Sequence, residues 1–252
     1  MSEGTPEATS APARPGFAER KPLPKRFYRE AGAAATEGGL FRVELDGRPV
    51  RTPGRHLVAV PSRPLAQALA EEWQAQGEFI DPMTMPMTRL VNSALDGVAP
   101  NMAEVGEEIV RYAGSDLLCY RTDTPAQLVA LHAELWDPVL AWARERFGAI
   151  FMLSEGVVHV AQPPRTLELI AGALPDDPLR LAALNLMTTL SGSALLALAV
   201  AHGHLDAEMA WRAAHADEEV QEQLWGTDAE ALDRRARRRR DFDAAAQVYA
   251  LL

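Results

Sequence analysis

Residues 40–52, LFRVELDGRPVRT, decide the first half of the fold. Every second side chain of the opening part is apolar, which predicts a strand with one buried face. Asp46-Gly47 follows at once, and this dipeptide is typical of a tight hairpin turn because both turn residues need positive φ. The run 48–52 is then the second strand, and residues 57–60 offer a third. The folded part of the chain is therefore predicted to begin with a β-rich unit.

The period of the sequence changes after about Pro64. Leu65, Leu69 and Trp73 recur every four residues, which predicts an amphipathic helix ending near Gly77. Beyond residue 96 nearly every segment has helical character. These patterns predict an α+β protein with a small β-rich N-terminal domain of α/β type, residues 25–98, and an all-helical C-terminal domain, residues 99–252. Residues 1–24, rich in Ser, Pro and Ala, have almost nothing to bury and are predicted to be a disordered tail.

Several helices of the second part can be placed from local signals. Thr124-Pro125-Ala126-Gln127 predicts a capping box that opens a helix running to about Gly148. Strand character follows at 150–160. A helix near residues 165–173, one central apolar helix at 181–201, one helix from Asp206 to Leu224 and a final helix to Leu252 complete the prediction.

The central apolar segment 181–201 is long enough to be considered as a membrane span. It carries no charge and has about the ~20 residues that a span needs. Its middle, however, is polar and small, with Asn185, Thr188 and Ser191 where a span is most apolar. The mean hydropathy of the chain is -0.13. The sequence therefore favours a buried core helix over an integral membrane protein.

Net charge and cysteine content limit the possible partners. The formal net charge of -10 opposes nonspecific attraction to nucleic acid. The basic run Arg234 to Arg240 has no interleaved aromatic residues and follows an acidic segment, so a solvated face, or a patch that binds acidic residues, is favoured over nucleic-acid binding. Cys119 is the only cysteine. An intramolecular disulfide and a cysteine-based zinc site are excluded, and a reducing cytoplasm fits.

None of the patterns that signal a catalytic, cofactor or metal site stands out. Met83, Met85 and Met87 alternate, but an extended segment that packs one face is favoured over a Cu(I) site. His202 and His204 stand two apart, which suits a helix-terminal role better than joint metal ligation. We therefore predict no catalytic residues, no metal and no cofactor. Cys119 lies among apolar residues and is predicted to be buried.

The segment 215–231, HADEEVQEQLWGTDAEA, carries most of the information about function. If it is helical, Glu218, Gln221 and Trp225 share one face, and Trp211 falls on nearly the same line. An ordinary amphipathic helix and a recognition strip remain equally supported by periodicity, since tryptophan is frequent at interfaces. Glu218 and its neighbour Glu219 point apart on a helix and make a poor acid/base pair.

Six segments together resemble the ATP12-type family of F1-ATPase assembly chaperones. They span nearly everything from residue 26 to residue 231, in the order and spacing of the family. The segments are RFYREA (26–31), LDGRPVRTP (45–53), LAQALAEEWQAQGEFIDPMTMPMTRLVNSALDG (65–97), YAGSDLLCYR (112–121), WDPVLAWA (136–143) and DEEVQEQLWGTDAEA (217–231).

The resemblance implies a chaperone, not an enzyme, that binds the unassembled α subunit of F1 and promotes assembly of the α3β3 complex without ATP. An acidic position of the family falls at Asp217 or Glu218, with Glu218 preferred. The residues that match the rest of the motif are Gln221, Trp225, Gly226 and Asp228. No transit peptide is evident, which favours a bacterial, cytoplasmic member, and a monomer is expected. The mitochondrial matrix is expected for eukaryotic relatives.

Two other classes of function are compatible with the sequence. One is a hydrolytic enzyme that uses Glu218, Asp228 and a histidine in a cleft between the two domains. The other is a small-molecule-binding module with a site at the same place. A deep cleft with convergent titratable groups favours the enzyme, whereas a broad and shallow surface favours a chaperone. Thermal stabilisation by metabolites or nucleotides, with none from F1 subunits, favours the binding module.

Overall fold

The protein is described here from a computed structural model that covers residues 22–156, 158–226 and 229–252, with only the backbone of residues 223–225. The predicted disordered tail, residues 1–24, falls almost wholly outside these ranges. Pro24 already belongs to the fold, because its carbonyl accepts a hydrogen bond of 2.9 Å from the Ile80 N–H.

Four short antiparallel strands form the main sheet. They are β1 (Ala31–Ala35), β2 (Phe41–Leu45), β3 (Arg48–Pro49) and β4 (Ala59–Val60). β2 is central: it pairs with β1 along its whole length and with β3 and β4 near its two ends. Asp46 and Gly47 have φ of 48° and 74°, which confirms the predicted hairpin turn. β1 was not predicted, because its sequence AGAAA has no alternation.

Helix α1 (Arg63–Gln74) packs on β1 and β2 and confirms the predicted amphipathic helix. Its first turn is capped by Ser62, whose hydroxyl accepts from the Leu65 N–H at 3.3 Å. Leu65 and Leu69 are fully buried against the sheet. The far end of α1 is tied down by Tyr28, whose hydroxyl donates to the Trp73 carbonyl at 2.6 Å.

The prediction of an extended methionine segment is wrong. Residues Pro82–Thr84 form one 3₁₀ turn, and helix α2 (Pro86–Ser93) begins directly after Met85. The prolines that suggested stiff extended backbone occupy first helical turns, where a missing N–H leaves no partner unsatisfied. Met85 and Met87 are buried as expected from packing, but Met83 is 55% exposed.

The path from the β-rich part into the helical part is itself helical. A π-helical segment (Ala94–Val98) and a 3₁₀ turn (Ala99–Asn101) connect α2 to α3 (Met102–Gly114). The division of the chain near residue 98 stays a prediction. Asp96, just before that position, ties the π-helical segment to the loop that precedes β4, because it accepts hydrogen bonds from the Thr52 hydroxyl at 2.5 Å and the Gly54 N–H at 2.8 Å.

The long helix α4 (Ala126–Phe147) ends at Gly148 as predicted, but its predicted capping box is wrong. Pro125 occupies the cap position in an extended conformation, and no side chain caps the first turn. Thr124 lies one residue too early, and its carbonyl accepts from the Thr122 hydroxyl. Of residues 150–156 and 158–160, which the structure describes, only β6 (Ser154–Glu155) is a strand, and it pairs in parallel with β5 (Tyr120–Arg121).

The predicted single central helix is wrong: it is two helices. Helix α5 (Pro164–Ala171) leads to α6 (Pro178–Ser191), which is followed by α7 (Ala194–Ala201). Gly192 has φ of 73°, which ends α6 in the left-handed conformation, and the Ser193 hydroxyl caps α7. Most of α7 is buried, as expected of a core helix. Within the described ranges, no helix is both long and apolar enough to span a bilayer.

The predicted helix from Asp206 to Leu224 is also two helices. His215, with φ of −122° and ψ of 27°, separates α8 (Ala207–Ala214) from α9 (Ala216–Trp225). The last helix, α10 (Ala229–Ala250), packs along α6 and touches α2, α7 and α8. Helix α10 therefore packs on the helical part of the chain and also on α2, which belongs to residues 25–98.

Candidate partner-binding site

One cleft brings together three of the six site residues that the sequence predicts. Its volume is about 500 Å³, and Asp217, Glu218 and Gln221 of α9 line one side. The end of α6, residues 189–192, lines another side, and Arg238 of α10 adds a cation. We call this space the α9 cleft. It lies inside the helical part of the chain and not between that part and the sheet, where the alternative functions placed their site.

The other predicted residues have different outcomes. Gly226 ends α9 with φ of 81° and is exposed. The side chain of Trp225 and the whole of Asp228 lie outside the described residues. The interpretation that places Trp211 on a recognition strip is wrong, because its side chain is 5% exposed and packs against Phe242 at a ring distance of 5.4 Å. The break at His215 removes the shared helical face on which that prediction depended.

The acids of α9 differ in whether they have a hydrogen-bond or ion-pair partner. Asp217 Oδ1 lies 2.6 Å from His132 Nε2, Glu219 lies 3.3 Å from Arg212, and Glu222 lies 2.6 Å from Arg235. Glu218 is exposed, and among the described residues its carboxylate has no hydrogen-bond or ion-pair partner. Three acids thus hold the helix in place, and Glu218 is left available for contact with another molecule.

Helix α4 holds α8 and α9 through three contacts. His132 donates to Asp217, the Trp136 indole N–H donates to the Ala213 carbonyl at 2.8 Å, and Glu134 lies 3.8 Å from Arg212. His132 and Trp136 stack at 3.6 Å with an interplanar angle of 19°. Since His132 and Trp136 are nearly fully buried, the position of α9 is fixed by the core.

His215, between α8 and α9, lines the α9 cleft. It is 7% exposed, it stacks on Trp211 at 4.0 Å, and its Nδ1 lies 2.9 Å from the Trp211 carbonyl. Burial lowers the pKa of His215, although the nearby Glu218 carboxylate has the opposite effect. At neutral pH the imidazole is therefore uncharged, with its proton on Nδ1.

The arginine run mainly holds other parts of this chain, as one of the two sequence interpretations expected. Arg235 pairs with Glu222, Arg238 donates to the Leu190 carbonyl at 2.9 Å, and Arg239 pairs with Asp243. Arg237 and Arg240 are exposed. Arg238 is the member that reaches the α9 cleft, and the sequence alone did not single it out.

Two other predicted features are confirmed. Cys119 is 1% exposed, and burial raises the pKa of its thiol to about 12. His202 directly follows the last residue of α7, and His204 stacks on Trp142 at 5.0 Å. Among the described residues, no three His, Cys, Asp or Glu side chains are grouped so that they could hold a metal ion.

Three residues that lie at or next to the α9 cleft were not identified from the sequence: His132, Trp136 and His215. The spacing of four between His132 and Trp136 places them on one helical face, which was the available signal. Nothing in the sequence connects that face to Asp217, which lies 85 residues further on. The arrangement suits recognition of another molecule, because it combines a fixed helix, one unpaired carboxylate and a partly polar cleft.

Comparisons with known proteins agree with one another. The family model described as "ATP12 chaperone protein" matches residues 25–144. Protein atp12, mitochondrial, of Schizosaccharomyces pombe is 25% identical over 231 residues, which cover 84% of this chain and 79% of that protein. The crystal structure of Atp12 from Paracoccus denitrificans is 41% identical, with a TM-score of 0.84 over 90% of this chain and 98% of the other. Atu1473 from Agrobacterium tumefaciens is 49% identical, with a TM-score of 0.87 over 92% and 87%.

Proposed function

We propose that this chain, which belongs to the ATP12 family of chaperones for ATP synthase assembly, binds the unassembled α subunit of F1-ATPase. The α9 cleft and the exposed side of α9 are the contact surface in this proposal. Glu218 and Gln221 contact the α subunit, Asp217 positions α9, and Trp225, Gly226 and Asp228 extend the surface.

The observation that carries the proposal is the unpaired carboxylate of Glu218. Every other acid described on α9 has a basic partner in this chain: Asp217 is hydrogen-bonded to His132, and Glu219 and Glu222 are paired with arginines. An exposed carboxylate on a helix that the core holds fixed can bind a partner without first breaking an internal ion pair. Position 218 is also the acidic position that the family resemblance favours.

The chaperone effect follows from mass action. A lone subunit exposes apolar area that its neighbours cover in the finished complex, and such area drives aggregation. Reversible binding lowers the free concentration of that surface and needs no ATP. When the β subunit competes for the same surface, the α subunit passes into the α3β3 complex. No catalytic step is part of this role.

The proposed setting is the cytoplasm of a bacterium, with a monomeric chaperone that forms a one-to-one complex. Two of the similar proteins are bacterial, and the similar yeast protein is mitochondrial. The net charge of -10 favours encounter with basic surfaces and disfavours nucleic acid.

The decisive experiment is co-expression of this chain with the F1 α subunit of the same organism, followed by affinity capture and size-exclusion chromatography. We expect a soluble one-to-one complex that dissociates when the β subunit is added. Capture of the α subunit should be lost in Glu218→Lys. The matched control is Glu145→Lys, which makes the same charge change at an exposed helical position about 20 Å further along α4 from His132.

Circular dichroism and thermal unfolding separate binding from folding in these variants. Both should fold like the unmodified chain, because both positions are exposed. An unfolded Glu218→Lys, or one that captures the α subunit normally, contradicts the role assigned to Glu218. Insoluble α subunit in the presence of the unmodified chain contradicts the choice of partner. A thermal shift with nucleotides or metabolites then tests the small-molecule alternative.

A further inference from the structure

The α9 cleft offers several hydrogen-bond acceptors. Asp217 and Glu218 contribute carboxylates, and Gln221 contributes an amide oxygen. The C-terminal end of α6 also lines it, and a helix C-terminus carries partial negative charge on its last carbonyls. A ligand that supplies donors is therefore a better match than one that supplies acceptors.

His215 strengthens this bias in a way that does not depend on the acids. Its Nδ1 proton is used on the Trp211 carbonyl, so its Nε2 bears a lone pair. Within the described part of the chain Nε2 has no hydrogen-bond partner, although the side chain is 7% exposed and lines the cleft. Nε2 can therefore accept a hydrogen bond from a donor that enters the cleft, without the loss of an existing one.

Arg238 is the cation of the cleft, and its position does not favour an anionic ligand. Its Nη2 is engaged by the Leu190 carbonyl at 2.9 Å. A phosphate or carboxylate that approached it would also meet the unpaired Glu218 carboxylate and the His215 lone pair, which both repel anions. The cleft thus combines one cation that is hydrogen-bonded to the chain with two acceptors, Glu218 and His215 Nε2, that have no hydrogen-bond partner among the described residues.

We propose that the α9 cleft binds the guanidinium or ammonium group of a basic side chain presented by the client, with Glu218 as its charge partner and His215 Nε2 as an acceptor. Arginine suits this site best, because its planar group carries five N–H donors. The volume of about 500 Å³ falls in the range of about 300–1,000 Å³ that is typical of ligand clefts. This inference rests on the proposed function for the identity of the client but not for the chemistry of the cleft.

The test uses the full chain labelled with ¹⁵N and three probes: Nα-acetyl-arginine amide, its citrulline analogue and inorganic phosphate. Citrulline has nearly the shape of arginine without its charge. We expect saturable NMR shifts at the His215 ring, the Gln221 side-chain amide and residues 189–192 with arginine, and binding weaker by roughly tenfold or more with citrulline. Glu218→Gln should weaken arginine binding by a similar factor, whereas Glu145→Gln should leave it unchanged.

Equal responses to arginine and citrulline overturn the inference, as do shifts confined to exposed acids elsewhere or a preference for phosphate. The capture experiment with the α subunit separates this result from the proposed function. If the α subunit is captured but the cleft ignores arginine, the cation site is wrong and the partner stands. If arginine binds in the cleft but the α subunit is not captured, the partner is wrong and the cation site stands.

Discussion

His132 Nε2 lies 2.6 Å from Asp217 Oδ1, and this hydrogen bond joins helices α4 and α9 across the core of the helical part. His132 is 3% exposed, so the bond is shielded from water on the histidine side. Loss of this hydrogen bond should make α9 more mobile. A phenylalanine at position 132 removes the bond but keeps an aromatic ring that can stack on Trp136.

We expect His132→Phe to speed amide hydrogen exchange in α9 by roughly tenfold, which corresponds to about 1.4 kcal/mol for a hydrogen bond to a charged acceptor. Capture of the α subunit should weaken as well. His159→Phe, at an exposed position, is the control and should leave exchange in α9 unchanged. Unchanged exchange in His132→Phe would show that packing alone holds the helix.

A second prediction concerns Asp116, which is fully buried at the start of α7. Its carboxylate accepts from the Ser193 hydroxyl at 2.7 Å, the Leu195 N–H at 3.1 Å and the Leu118 N–H at 3.1 Å. Asp116→Ala leaves these three donors unsatisfied and should lower the free energy of unfolding by about 3 kcal/mol or more. Urea unfolding measures the loss, and Asp123→Ala, at an exposed position, should change little.

The same residue predicts a pH dependence. Burial raises the pKa of Asp116 from 3.8 to about 6. A carboxyl group whose pKa is raised in the folded state stabilises the fold at pH below about 4, and this contribution is lost as pH rises through about 6. Relative to Asp116→Asn, the free energy of unfolding should therefore fall on the order of 2–3 kcal/mol between pH 4 and pH 7. A difference that stays constant over this range would contradict the assignment.

Glu72 of α1 substitutes for a cap residue on α2. The cap position of α2 is Met85, which cannot accept hydrogen bonds there, and the Glu72 carboxylate accepts from the N–H groups of Met87 at 2.8 Å and Thr88 at 2.7 Å. Glu72→Ala should lower the free energy of unfolding by about 1–2 kcal/mol. Glu71→Ala removes an exposed neighbour on the same helix and should have an effect several times smaller.

Gly54 leaves room for Asp96. A Cβ atom at position 54 would lie 2.6 Å from Asp96 Oδ1, and that carboxylate is held by Thr52, His56 and the Gly54 N–H itself. Gly54→Ala should therefore lower the free energy of unfolding by about 1–3 kcal/mol. In an Asp96→Ala background the same substitution should have an effect of less than about 0.5 kcal/mol, because the clash is absent. Equal effects in both backgrounds would rule out the clash as the cause.

The parts of the fold that follow from local chemistry could be predicted. Asp46-Gly47 specifies a hairpin whatever surrounds it, and Gly148 ends α4 for the same backbone reason. The break at Gly192-Ser193 had local signals too, a left-handed glycine followed by a cap serine. The long apolar run around them favoured one helix, because hydrophobicity shows burial and not continuity.

The parts that depend on distant residues could not be predicted. β1 is a strand because β2 pairs with it and α1 covers it, not because of its alanines. In the site, Glu218 was identified by helical periodicity and family resemblance. Its unpaired state became visible only when the partners of Asp217, Glu219 and Glu222 were known, and those partners come from three other helices.

The burial of Cys119 has a practical consequence for spectroscopy. Because it is the only cysteine of the chain, is 1% exposed and has a thiol pKa of about 12, almost no thiolate is present at neutral pH to react with a maleimide. A cysteine introduced at the exposed Arg237, next to Arg238 of the α9 cleft, can therefore be labelled with a fluorophore in the otherwise unmodified protein. Such a probe reports arrival and departure of a client at the α9 cleft in real time, without removal of the native thiol.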